Sequence, residues 1–170
     1  MDLALFRPWI VFLHVVSVLG LLAIHGISIG VVFKVRGERD PLRIRTLLEL
    51  SNAYLNAFYG FLMLVLATGI LAGVAGGWWT SGRLWIWAAL GVLIGIVIAM
   101  YVLASSYFET LRHAVGIATF QDVRKGLAAP QPAAPAELER LLASRRAEQI
   151  AAVGFGGVAA LVWLMILKPF

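Results

Sequence analysis

The chain has 170 residues, of which 61% are hydrophobic and 14% charged, with a mean hydropathy of +0.90. Soluble domains carry about 25% charged residues, so this is the composition of an integral membrane protein. There is no cysteine, which excludes disulfides, thiolate metal sites and thiol nucleophiles.

The net charge of +5 sits between apolar runs, so membrane orientation explains it better than nucleic-acid binding. No segment of different composition is long enough to fold alone, and one membrane domain is expected over 1–170. Only Arg7 precedes the first apolar run, and that run is too long for a signal-peptide core. It is read as an uncleaved first span.

Span 1 is expected over about residues 9–33. Pro8 suits the first turn of a helix, and Trp9 suits the membrane interface. The run contains no Lys, Arg, Asp or Glu and is long enough to cross a bilayer with some tilt. It holds His14 and His25, which lie eleven positions apart on one face, about 16 Å along the axis. Gly26 and Gly30 have the small-xxx-small spacing of close helix packing.

Residues 34–46 form a charged loop, in which Asp40-Pro41 reads as the cap and first position of the next helix. Span 2 is expected over about 47–74. Asn52, Asn56 and Tyr59 follow the i, i+4, i+7 spacing of one helical face. A glycine-containing turn follows at 76–83, with Trp78, Trp79, Trp85 and Trp87 as an interfacial belt. Span 3 is expected over about 84–107. Tyr101, Ser105 and Glu109 recur every four residues towards its end, and Arg112 and His113 extend that face.

Residues 108–148 form the longest extramembrane stretch. Within it, 126–136 reads as a Pro/Ala-rich hinge, and 137–148 as a helix continuous with span 4. Span 4 is expected over about 149–167. The fold class is therefore all-α: a polytopic four-span antiparallel bundle. The two loops at 34–46 and 108–148 carry eleven Lys and Arg against three elsewhere, so they are expected in the cytoplasm of a cell inner membrane. Both termini then lie outside.

Polar groups in lipid are costly unless they face a bundle interior. His25, Ser28, Asn52, Asn56, Tyr59, Tyr101, Ser105 and Glu109 are accordingly expected to line one polar site in the cytoplasmic half. His25 has two readings. A neutral imidazole binds haem iron or copper; equally, a structural histidine can hydrogen-bond Asn56 or Tyr59 as ordinary interhelical glue.

His14 lies about 7 Å inside the outer end of span 1. Its bland reading is contact with headgroups or water. Its functional reading is ligation, with Met165 on span 4 at compatible depth for a His/Met pair on haem or copper. Glu109 reads first as a salt-bridge partner of Arg112 or the loop arginines, and those arginines as contacts for anionic headgroups. Nothing matches a nucleotide-binding glycine loop, a HExxH zinc motif or a nucleophile triad.

Leu13-His14 early in span 1, Ala67-Thr68-Gly69 late in span 2, and WW…GRLWIW before span 3 carry a resemblance. IHGISIG, FKVRGERDPLRI and SYFETLRHAVG extend it over the whole chain. The chain resembles the uncharacterised bacterial four-helix predicted integral membrane proteins, which bring no established activity. More distantly, its early Leu-His is similar to that of the copper-resistance D proteins and the HemJ-type protoporphyrinogen oxidases. That resemblance implies copper transport or haem-linked oxidation, with His14 as a ligand. The chain departs from both families at Leu21, where a tryptophan is expected, and at Arg83, where a lysine is expected.

Three functions stay open. One is a membrane protein holding haem b or a transition metal through His25 or His14. The second is a non-catalytic accessory subunit or homo-oligomer packed through glycine faces. The third is a small-solute or ion carrier, which with four spans needs an oligomer.

Overall fold

The computed structural model describes residues 3–80 and 82–170. The protein is all-helical, with no strand among the described residues, and has four helical segments long and apolar enough to cross a membrane. These are Leu3–Gly37, Pro41–Ala75, Leu84–Ala114 and Pro135–Leu167. The expected fold class and multi-pass character are therefore present. In the absence of water each span must satisfy its backbone internally, and a helix does so.

Helix α1 runs Arg7–Gly37, α2 Pro41–Ala53, α3 Leu55–Ala75, α4 Leu84–Met100, α5 Ser106–Ala114, α6 Phe120–Arg124, α7 Pro135–Leu142 and α8 Arg146–Leu167. Local chemistry accounts for several boundaries. Lys34 and Arg36 lie in the last turn of α1, where cations favour the helix dipole. The backbone N–H groups of Arg39 and Asp40 donate to the Glu38 carboxylate at 2.8 and 3.1 Å. Those two bonds hold its pKa below the usual carboxylate range. Asp40 caps α2 as expected, accepting from the Leu42 N–H at 3.0 Å, with Pro41 in first position.

Within the second helical segment Tyr54 (φ −93°, ψ 0°) is a one-residue irregularity between α2 and α3. Between α4 and α5, Tyr101–Ser105 is one π-helical turn. Such a turn holds an extra residue and shifts the register of the helix beyond it. Tyr101, Ser105 and Glu109 therefore do not form the continuous stripe that four-residue spacing implies. The stretch expected to join span 4 as one helix is also interrupted: α7 ends at Leu142 and α8 starts at Arg146, with a turn at 143–145. Helix α6 is an element that the sequence pattern did not lead us to expect.

The chain divides into two compact units. The first comprises Met1–Gly26, Tyr54–Ile96 and Phe155–Phe170. In it, Phe61 of α3 fills the space over Gly20 of α1, and Ile96 of α4 lies against Gly157 of α8. The turn after α3 uses Gly77 (φ +63°) and Gly82 (φ +71°), a backbone region that side chains disfavour.

The four belt tryptophans pack edge-to-face in pairs, Trp78 with Trp85 at 5.2 Å and Trp79 with Trp87 at 5.0 Å between centroids. Lys168 lies over both Trp78 and Trp85. Trp85 is only 1% exposed, so it is a packing residue rather than the interfacial anchor expected. Its ring meets Trp78 and Lys168, and its buried Nε1 has no hydrogen-bond partner among the described residues.

The second unit comprises Ile27–Ala53 and Val97–Gly154. Its core joins Val32 and Val35 of α1, Ile44 and Leu48 of α2, Leu111 of α5, Leu142 of α7 and Ile150 of α8. Arg36 pairs with Glu148. The Pro/Ala-rich segment is not a free hinge. The Ala133 N–H donates to the Ala114 carbonyl at 3.0 Å, and Pro130 and Pro132 pack on Gly116.

Candidate functional site

In the first unit, His14 of α1 faces Thr68 of α3. The imidazole Nδ1 is 3.1 Å from Thr68 Oγ1. The Thr68 hydroxyl proton is directed at the Leu64 carbonyl, 2.5 Å away, the back-bond a threonine makes inside a helix. Having committed its proton there, Oγ1 accepts, and the imidazole donates from Nδ1. That arrangement corresponds to the tautomer whose lone pair is on Nε2. An acceptor that fixes the tautomer of a metal-ligating histidine is placed in the same way.

The ring also lies against Gly69, where a Cβ would stand 3.1 Å from His14 Cε1. The two short motifs noted in sequence, Leu13-His14 and Ala67-Thr68-Gly69, thus meet through their polar and small members. Sequence spacing does not reveal that pairing, because it depends on which faces of α1 and α3 turn towards each other.

His25 is half-buried in the same unit. Its ring packs against Phe58 of α3 and Phe155 of α8, with centroids 6.3 and 6.2 Å away. Its Nε2 is buried and has no hydrogen-bond partner among the described residues. The expected glue contact to Asn56 or Tyr59 is not made. A buried imidazole nitrogen without a partner costs free energy. Met165 belongs to the first unit and is 37% exposed.

The remaining residues expected around a polar site are placed otherwise. Asn56 and Tyr59, in the first unit, are exposed, and Tyr59 stacks edge-on against Phe58. In the second unit Asn52, Tyr101 and Ser105 are exposed, while Ser28 and Glu109 are half-buried. None of these side chains makes a hydrogen bond among the described residues. The irregularity at Tyr54 and the π turn at 101–105 alter the register on which the expected face depended.

The second unit holds the third histidine. His113 Nε2 is 2.8 Å from Asp122 Oδ2. That oxygen also accepts from the Thr119 N–H at 2.7 Å and its hydroxyl at 2.6 Å. Thr119 and Asp122 form a capping box for α6. The donors concentrated on one carboxylate, Thr119's above all, lower the Asp122 pKa to about 2. A Thr-x-x-Asp spacing was the available sequence signal for this cap.

Among the described residues no three of His, Asp and Glu come together as a metal cage. The donor set therefore does not fit a closed, protein-only metal centre. No protein-family model, no curated protein and no solved structure matches the chain.

Proposed function

We propose that this chain is a multi-pass membrane protein that binds haem b through an intramembrane imidazole, with copper as the alternative occupant. His14 is the first candidate ligand and His25 the second. The observation that carries the reading is the 3.1 Å contact of His14 Nδ1 with Thr68 Oγ1, whose own proton points to the Leu64 carbonyl; read as the Nδ1–H tautomer, it leaves Nε2 basic. The unpartnered Nε2 of His25 supports it as a second donor. When bound, haem would supply redox chemistry; the chain would supply the ligand nitrogen, its tautomer and an apolar wall. We further read the charge bias as placing both termini outside and the two basic loops in the cytoplasm of a cell inner membrane.

The test is an optical spectrum with metal analysis on the detergent-purified protein, grown with sufficient haem and copper. A Soret band, or stoichiometric copper, that is lost in His14→Ala or His25→Ala supports the reading and names the ligand. A colourless, metal-free protein after haem supplementation overturns it.

One observation favours a second reading, a packing subunit. Gly91 and Gly95 lie one helical turn apart and exposed on α4, with nothing within 4 Å of where a Cβ would stand. Such a surface admits the backbone of another helix. That reading predicts one larger assembly that dissociates in Gly91→Leu, with no effect of His14→Ala.

A further inference from the structure

The second unit contains a cavity of about 250 Å³ lined by Glu49 and Asn52 of α2, Arg112 of α5, and Ile117, Thr119, Phe120 and Val123 at and around α6. Its charges are unequal in their pairing. Glu49 is neutralised by Arg45 at 3.0 Å. The Arg112 side chain is half-buried and has no hydrogen bond or ion pair among the described residues, and the Glu109 carboxylate acts on it only through space. A partly desolvated guanidinium whose donors make no hydrogen bond is costly, and its planar set of donors matches a phosphate.

The other wall of the cavity is apolar and opens outward. Phe120 is 79% exposed and Val123 67%. Phe120 and Val123 follow the i, i+3 spacing of one face of α6, Leu127 lies beyond the helix after Gly126 (φ +67°), and Arg124 and Lys125 close the helix. About 20 residues of the Leu84–Ala114 helix suffice to cross the hydrocarbon, so its last turns, with Arg112, reach headgroup depth. An apolar face beside basic residues at that depth suits an interfacial segment.

We propose that this cavity is a binding site for the phosphate of one anionic phospholipid. Arg112 and the Asn52 amide hold the headgroup, and Phe120 and Val123 line the path of its acyl chains. The site is discrete, unlike diffuse attraction to the basic loops. It is independent of whether His14 or His25 holds a cofactor.

The experiment is native mass spectrometry of the full chain in detergent, titrated separately with phosphatidylglycerol, phosphatidylcholine and inorganic phosphate. One phosphatidylglycerol should be retained, at least tenfold more tightly than phosphatidylcholine, and Arg112→Gln should abolish that preference. The double variant Arg124→Gln/Lys125→Gln should leave it within about twofold. Equal binding of the two lipids, or equal loss in the double variant, overturns the proposal. Saturable binding of inorganic phosphate without lipid preference overturns the lipid assignment.

A second measurement needs no variant. In nanodiscs, phosphatidylglycerol carrying a photoreactive group near its headgroup should label residues 117–125 of the wild-type chain. Labelling spread evenly over residues 38–46 and 139–146 instead would overturn the site.

Discussion

Thr68 Oγ1 of α3 lies 3.1 Å from His14 Nδ1 of α1, within hydrogen-bond reach. The hydroxyl can accept because its own proton is committed to the Leu64 carbonyl. Replacing Thr68 by Val keeps the volume but leaves the imidazole N–H without that acceptor. Thr68→Val is expected to lower stability by about 1 kcal/mol. Thermal unfolding in mild detergent measures it. If His14 ligates haem, the same change should also shift the Soret band, whereas Thr68→Ser should leave the band in place.

Gly69 provides the surface on which that ring rests. A methyl group there would stand 3.1 Å from His14 Cε1, closer than ordinary contact. Gly69→Ala is expected to push the imidazole aside at a cost of about 1–3 kcal/mol. Gly91→Ala, on the same type of helix but in open space, should cost nothing measurable. Comparing the two melting temperatures checks this, and equal shifts would refute the contact.

Asp122 titrates at about 2 in the folded chain, below its ordinary 3.8. A depressed carboxylate pKa stabilises the fold above the unfolded pKa, and the contribution disappears as pH falls through the folded one. The α6 cap is therefore expected intact at neutral pH and lost between about pH 4 and pH 2. Amide hydrogen exchange across residues 119–127 against pH follows it. Asp122→Asn should raise exchange there at neutral pH and remove the acid transition; unchanged protection would contradict the capping role.

Leu142 of α7 is 1% exposed and touches the core of the second unit. Leu142→Ala is expected to cost about 2–5 kcal/mol through lost burial and a residual cavity. Leu42, 74% exposed, should tolerate the same change within about 0.5 kcal/mol. Unfolding of the two variants in one detergent compares them directly.

Composition and apolar run length determined the four spans, because a helix that crosses lipid needs about 20 apolar residues and little else. The Asp40-Pro41 helix start and the glycine turn after α3 were also legible, since each depends on a few neighbouring residues. The pairing of His14 with Thr68 and Gly69 was decided by tertiary structure. In a helix apolar on all sides no face is marked for burial, so periodicity cannot say which residues meet.

The polar residues of spans 2 and 3 illustrate the same limit. Their regular spacing presumed uninterrupted α-helices, and the irregularity at Tyr54 and the π turn at 101–105 removed that premise. His25 was placed on its helix face by sequence, but its setting between Phe58 and Phe155, with no partner for Nε2, depends on two other helices. The sequence by itself determined what crosses the membrane, because hydropathy acts locally. Which side chains face one another was left to the packing of helices distant in the chain.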